Sequence, residues 1–130
     1  MSDERFQQGL KTVGELFPPR EGAPATGFAY PPEIAEDFGA LSISTVMGDV
    51  WSRPGLPKPQ RAMCTIAALT VMDKPEQLKA YITAALNLGV SRQEVCEVIM
   101  QMAIYGGFPA ALQGLGIANE VFESWDAAES

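Results

Sequence analysis

The sequence predicts an all-α fold, and three observations carry that prediction. Apolar residues recur at helical spacing along most of the chain. No segment alternates polar and apolar residues as a strand would. Residues 75–111 read as two antiparallel helices followed by the start of a third. The 130 residues are one domain's worth, 1–130, enough to bury a core without disulfides or metal.

Taken in order, residues 2–17 place Phe6, Leu10, Val13 and Leu16 with Phe17 on one helical stripe. Residues 18–32 are rich in Pro, Gly and Ala and read as an extended arm. Phe28 and Tyr30 in that arm need a surface to pack on, such as a neighbouring subunit. A helix from Pro32 or Glu33 to about Gly48 puts Ile34, Phe38, Leu41, Ser42 and Thr45 on a shared face. Gly48 to Gln60 is then a proline-rich connection holding Asp49, Trp51 and Arg53. From about Pro59 to Met72 the interior AMCTIAALTVM has almost no polar face, which predicts a helix in the middle of the fold.

The hairpin that follows is fully punctuated. Pro75 suits a first helical turn, and Leu78, Ile82, Ala85 and Leu86 form the apolar face. Gly89 is placed to close that helix in the left-handed conformation. Ser91 and Glu94 spell a capping box for the next helix, flanked by Val90 and Val95 at staple positions. The helix from Gln93 to Tyr105 is apolar over most of its circumference, which predicts burial on nearly all sides. Glu97, Gln101 and Tyr105 interrupt it as one narrow polar stripe at i, i+4, i+8. Such a stripe serves a solvated edge, a structural hydrogen-bond network or a ligand. Gly106-Gly107 stops the helix, and Pro109 opens a last one running to about Trp125. Leu112, Leu115, Ala118, Val121 and Phe122 share its face with Ile117 beside them, and Gly114 and Gly116 predict a close helix–helix approach.

A net charge of −7 with no basic cluster argues against nucleic acid as a partner. The N-terminus MSDERFQQG lacks the regions of a signal peptide and no apolar run spans a bilayer, so a cytoplasmic protein off the membrane is expected. Cys64 and Cys96 stand alone in apolar helical patterns and read as buried free thiols. The sequence contains no histidine, which removes imidazole acid–base chemistry and histidine metal sites, so no metal is expected. Catalysis would run on Asp, Glu, Tyr, Cys, Lys, Arg or water. Arg61 stands in the first turn of its helix, where the dipole disfavours a cation; it is either solvated or served by a carboxylate or an anionic ligand.

Two stretches carry a family resemblance. Gly48-Asp49-Val50-Trp51-Ser52-Arg53-Pro54-Gly55-Leu56 followed by Arg61 is similar to the GxxWxRPGL…R signature of the carboxymuconolactone decarboxylase family. Glu76, Leu78, Ala85-Leu86-Asn87, Gly89-Val90, Glu94, Glu97, Gln101, Tyr105 and Gly107-Phe108-Pro109-Ala110 resemble its second block, and together the two cover about residues 38–120. The resemblance implies an AhpD-like helical fold assembled as trimers or hexamers, with pockets between helices and often between subunits. It also implies bacterial catabolism of aromatic ring-cleavage products without a cofactor. The decarboxylases place a histidine where this chain has Tyr81. The thiol peroxidase branch has Cys-x-x-Cys-x-x-x-His where this chain has Lys74, Gln77 and Tyr81, so that chemistry has no apparatus here.

The expectation is therefore a small homo-oligomeric enzyme acting on an unsaturated carboxylated lactone or open-chain dienoate. Arg53 and Arg61 would bind carboxylates, and Trp51 would wall the pocket. Tyr81, Gln101 and Tyr105 would donate hydrogen bonds to a developing enolate or shuttle a proton. Decarboxylation, double-bond migration and cis–trans isomerisation share that enol or dienolate, so an isomerase or tautomerase is the alternative to a lyase. A second alternative is an inactive binding or assembly protein, which would keep the oligomer surfaces.

Overall fold

Helices make up all the regular structure among the described residues of the computed structural model, which are 2–19 and 29–129. They are α1 (Ser2–Leu16), α2 (Pro32–Ser42), α3 (Lys58–Val71), α4 (Pro75–Asn87), α5 (Arg92–Gly106) and α6 (Phe108–Glu129). A π-helical segment, Ile43–Val50, continues directly from α2. The chain divides into two compact units, Met1–Lys58 and Pro59–Ser130.

In the first unit α1 lies along the π-helical segment. Its buried residues are Gly9, Thr12 and Leu16, while Leu10 is exposed, so the stripe drawn through Phe6, Leu10 and Val13 is displaced. The cause is backbone proximity. A Cβ on Gly9 would collide with the carbonyl and side chain of Ile43, and one on Gly48 with the carbonyl of Arg5. Two glycines facing opposite backbones let the helices touch, and the small residues turn inward. Ordinary α-helix was expected to about Gly48. Instead it ends at Ser42 and the wider π turns run to Val50, leaving 51–57 as the connection. The register is visible in Trp51, whose N–H donates to the Val46 carbonyl five residues back at 2.9 Å.

α2 contains no buried residue. Ile34, Phe38 and Leu41, which share a face of the helix, are exposed. Phe38 instead meets Tyr30 edge-on, with ring centroids 5.0 Å apart and planes at 82°. Phe28 and most of the arm expected to contact a neighbour lie outside the described residues.

In the second unit α3 buries a single stripe, Ala62, Ile66 and Thr70, whereas enclosure on all sides was expected. The Thr70 hydroxyl is satisfied within the helix, donating to the Ile66 carbonyl at 2.8 Å. α3 ends with Asp73 in the left-handed region, φ 59°, and Lys74 N–H returning to the Leu69 carbonyl at 3.1 Å. The α4–α5 turn uses the same geometry. Gly89 has φ 92° and Val90 N–H returns to Ala85 at 2.9 Å.

The capping box is complete. Glu94 N–H donates to Ser91 Oγ at 3.0 Å, and Ser91 N–H donates to Glu94 Oε1 at 2.9 Å. These bonds hold the Glu94 carboxyl below its usual range, the backbone donor contributing most. Val90 and Val95 are buried as a staple requires.

α5 and α4 both pack on α6. Of α5, only Val95 and Ile99 are fully buried, and Met100, Ile104 and Tyr105 are exposed, so burial on nearly all sides does not hold within one chain. On α6 the inward residues are Ala111, Gly114, Ile117, Ala118, Val121 and Phe122, with Leu112 and Leu115 outside. Gly114 explains the rotation: a Cβ there would sit 2.9 Å from Ile99 Cγ2 and 3.2 Å from Thr70 Cγ2. Gly116, expected to serve the same purpose, faces open space. Arg92 ties the two helix ends, pairing with Asp126 at 3.0 Å and covering the Phe122 ring at 4.5 Å.

Candidate functional site

The expected site residues fall in two places. In the first unit, Trp51 and Arg53 occupy the turn that leaves the π-helical segment, Trp51 buried and Arg53 exposed. The turn is held from both directions. Arg53 N–H closes on the Val50 carbonyl at 3.1 Å, and Ser52 Oγ donates to the Met47 carbonyl at 2.9 Å. The second bond satisfies one of the carbonyls that a helix end leaves open. Because the single Ser52 hydroxyl proton is used there, Thr12 is the donor in the 3.0 Å contact between Thr12 Oγ1 and Ser52 Oγ. Thr12 is 1% exposed, so this bond lies in the interior of the unit.

One turn before Ser52, Asp49 is gripped by Arg5. Nε reaches Oδ1 at 2.8 Å and Nη2 reaches Oδ2 at 2.6 Å, a fork on a carboxylate. The Arg5 hydrogen bond holds the Asp49 carboxyl below the usual carboxylate range, and Asp49 raises Arg5 in return. Lys58 closes the other end of the connection on Glu15 at 3.4 Å. Beside this turn an open cleft of about 260 Å³ is lined by Gln8, Gly48, Asp49, Ser52, Arg53 and Pro54. The lining thus places the Arg53 guanidinium beside an Asp49 carboxylate that is already paired with Arg5.

In the second unit, Arg61 sits in the first turn of α3, half-buried, with its Nε in the interior. The inner edge of the guanidinium is therefore covered while the side chain as a whole stays half-buried. Tyr81 is half-buried on α4 beside the buried Ile82. Gln101 and Tyr105 lie on the outer side of α5, Tyr105 being 74% exposed. Glu97, the third member of their stripe, accepts a hydrogen bond from Gln93 Nε2 at 2.9 Å. Around Tyr105 the surface is apolar: Met100, Ile104, Phe108 and Leu112 are all more than half exposed. A single chain thus leaves Gln101 and Tyr105 open to water.

Cys64 is exposed, against the expectation of burial, because it lies away from the Ala62–Ile66–Thr70 stripe; Cys96 is half-buried, and both thiols are free. Among the described residues no three Asp, Glu or Cys side chains gather as metal ligands, and no helix is long and apolar enough to cross a membrane. Arg5, Gln8 and Thr12 were missed as neighbours of the Arg53 turn. Their signal is a polar row at i, i+3, i+7 flanking Gly9, which a search for apolar stripes passes over.

The family model for carboxymuconolactone decarboxylases matches residues 36–120. A 4-carboxymuconolactone decarboxylase from Acinetobacter baylyi is 33% identical over 124 residues, 95% of this chain and 91% of the relative. A nitrosuccinic acid decarboxylase from Metarhizium robertsii is 31% identical over 119 residues, 88% of this chain and 79% of the relative. An uncharacterised 15.0 kDa protein from Paracoccus denitrificans is 36% identical over 81 residues, 61% of this chain and 60% of the relative.

Proposed function

The chain belongs to the carboxymuconolactone decarboxylase family, and on that premise we propose that it is a cofactor-independent decarboxylase acting on an unsaturated carboxylated lactone or dienoate from aromatic ring cleavage. The observation that carries this reading is the near full-length similarity to a 4-carboxymuconolactone decarboxylase. The nitrosuccinic acid decarboxylase supports the reaction type over any one substrate skeleton. In both named acids, loss of carbon dioxide leaves an electron pair that a neighbouring group withdraws.

The proposed chemistry balances without an oxidant or reductant. The carbon–carbon bond to the departing carboxyl breaks, carbon dioxide leaves, and the electron pair passes into the conjugated system as an enolate or dienolate. A proton then returns to carbon. Arg53 and Arg61 hold the carboxylate that is retained, because pairing the departing one would stabilise the ground state and slow its loss. Trp51 forms an apolar wall. Tyr81, Gln101 and Tyr105 donate to the enolate oxygen, with Tyr81 as the proton source. The half-buried setting of Arg61, with its Nε covered, supports its role, since a partly dehydrated guanidinium binds a carboxylate more strongly than a solvated one.

The exposed apolar surface around Tyr105 supports a homo-oligomer, trimer or hexamer, in which a second copy covers the α5–α6 corner and dries Gln101 and Tyr105. On this reading 1–130 acts as one cytoplasmic domain. Tyr81 at the family's histidine position favours one second reading, a dienoate isomerase or tautomerase in which the same enolate is reprotonated without loss of carbon dioxide.

The test is turnover of 4-carboxymuconolactone and a panel of dienoates, followed by ultraviolet absorbance and carbon dioxide release, with Arg53→Ala and Arg61→Ala alongside. Each variant should lose about ten- to a hundredfold in kcat/KM, the equivalent of about 1.5–3 kcal/mol for a charged hydrogen bond, at unchanged melting temperature. Full activity in both variants would end the case for this site, and product without carbon dioxide would select the isomerase. A monodisperse monomer in light scattering at micromolar concentration would remove the shared-site arrangement.

A further inference from the structure

The four polar residues Arg5, Gln8, Thr12 and Glu15 repeat along α1 at three- and four-residue steps, which puts them on one face. Each faces the stretch from Asp49 to Lys58, which carries Arg53. Arg5 takes Asp49, Gln8 lines the cleft with Arg53, Thr12 donates to Ser52, and Glu15 pairs with Lys58. Three of these side chains are consumed by protein partners. Gln8 is the α1 side chain that reaches the cleft and is itself exposed there. The matched family segment begins at residue 36, so α1 lies outside it.

We propose that α1 completes the Arg53 cleft, with Gln8 as a substrate-contacting specificity residue and Thr12 as a positioning residue that orients the turn through Ser52. This rests on the reading of Arg53 as a carboxylate-binding group. The chemistry of the cleft defines what it selects. Arg53 offers donors only, Asp49 is paired with Arg5, and Ser52 directs its hydroxyl proton to the Met47 carbonyl. A carboxylate on Arg53 therefore meets one neutral group able both to donate and to accept, the Gln8 amide. The ligand class is a small carboxylate with a neighbouring hydroxyl or carbonyl oxygen, preferred over the same acid without it. Thr12 acts at a distance. Its hydroxyl fixes Ser52 Oγ, Ser52 fixes the last turn of the π-helical segment, and Arg53 follows in the chain.

Malate and succinate serve as probes, since they differ by one hydroxyl. Binding is followed by proton–nitrogen NMR on the full-length protein, with melting recorded for each variant. The wild type should bind malate about two- to tenfold more tightly, the range for one neutral hydrogen bond, and Gln8→Leu should abolish that preference while still binding succinate. Gln8 is exposed, so the leucine variant should fold. Thr12→Val should weaken both probes alike by about two- to tenfold, Thr12→Ser should restore them, and Thr12→Val should add nothing in an Arg53→Ala background. If Arg53→Ala leaves both affinities unchanged, the carboxylate reading fails and this inference with it. If Arg53→Ala weakens both but Gln8→Leu keeps the wild-type malate preference, or the wild type has none, the specificity role of Gln8 alone is overturned. A Thr12→Val protein that melts lower but binds both probes normally overturns the positioning role.

Discussion

The turn between α4 and α5 and the turn that carries Arg53 are both short connections between helices, yet opposite kinds of interaction hold them. At Ser91 the capping partners are three residues apart, and the left-handed Gly89 closes α4 on itself. At Asp49 and Ser52 the partners stand 44 and 40 residues away on α1, and the approach depends on glycines on both sides. The first turn keeps its geometry wherever the hairpin goes. The second exists only when α1 is docked, and it is the one that bears a candidate binding group. The placement of Arg53 is therefore coupled to the packing of the N-terminal helix.

Substitutions should break the comparison unequally. Gly48→Ala places a methyl group against the Arg5 carbonyl, a backbone atom that cannot rotate away, and should cost about 3 kcal/mol or more in chemical denaturation. Gly9→Ala attacks the same interface from the other side, so the double variant should lose less than the sum of the two. An unchanged midpoint in either would mean that the two backbones are not in contact. Ser91→Ala, which removes the local cap, should cost about 1 kcal/mol and leave binding at Arg53 untouched. Loss of carboxylate binding in that variant would show that the two turns are coupled.

A smaller effect of opposite sign is expected at Gly116. Its side of α6 is open, so Gly116→Ala should stabilise by about 0.5–1 kcal/mol through helix propensity, whereas Gly114→Ala should destabilise against Ile99. Reversed signs would show that α6 is turned otherwise. The smallest effect is in acid. Asp49 and Glu94 both have folded-state pKa values below their unfolded ones, so each contributes stability above the unfolded carboxylate range and loses it as pH falls through the folded value. Melting temperatures below about pH 4 should fall less steeply in Asp49→Asn and in Glu94→Gln than in the wild type. Salt should mask the Asp49 difference in particular, because its partner is an exposed ion pair.

Much of the hairpin was legible because its signals are short-ranged. Pro75, Gly89, Ser91, Glu94 and the Val90–Val95 staple all act within one helical turn. The same holds for the places of Trp51, Arg53, Arg61 and Tyr81 along the chain, which a motif or a helix period supplies. The errors share another cause. On α1 and α6 the apolar stripe was drawn through the largest side chains, but Gly9 and Gly114 draw the backbones together and bring small residues inside. Large residues such as Leu10 and Leu112 are then left on the outer side of the single chain. The π-helical register has no signature that propensity records, and Gln8 and Thr12 became neighbours of Arg53 only through it.

Taken alone, the sequence determined where most of the helices begin, that the regular structure among the described residues is helical, and which residue types could serve a carboxylate. Those outcomes depend on bonds and dihedral preferences spanning a turn or less, so neighbouring residues contain all the information they need. Tertiary structure decided which side of each helix is covered, and that the row from Arg5 to Glu15 meets the turn of Arg53. These follow from how closely two backbones approach, which is set by pairs such as Gly9 with Ile43 and Gly48 with Arg5 whose partners lie 34 to 43 positions apart in the chain.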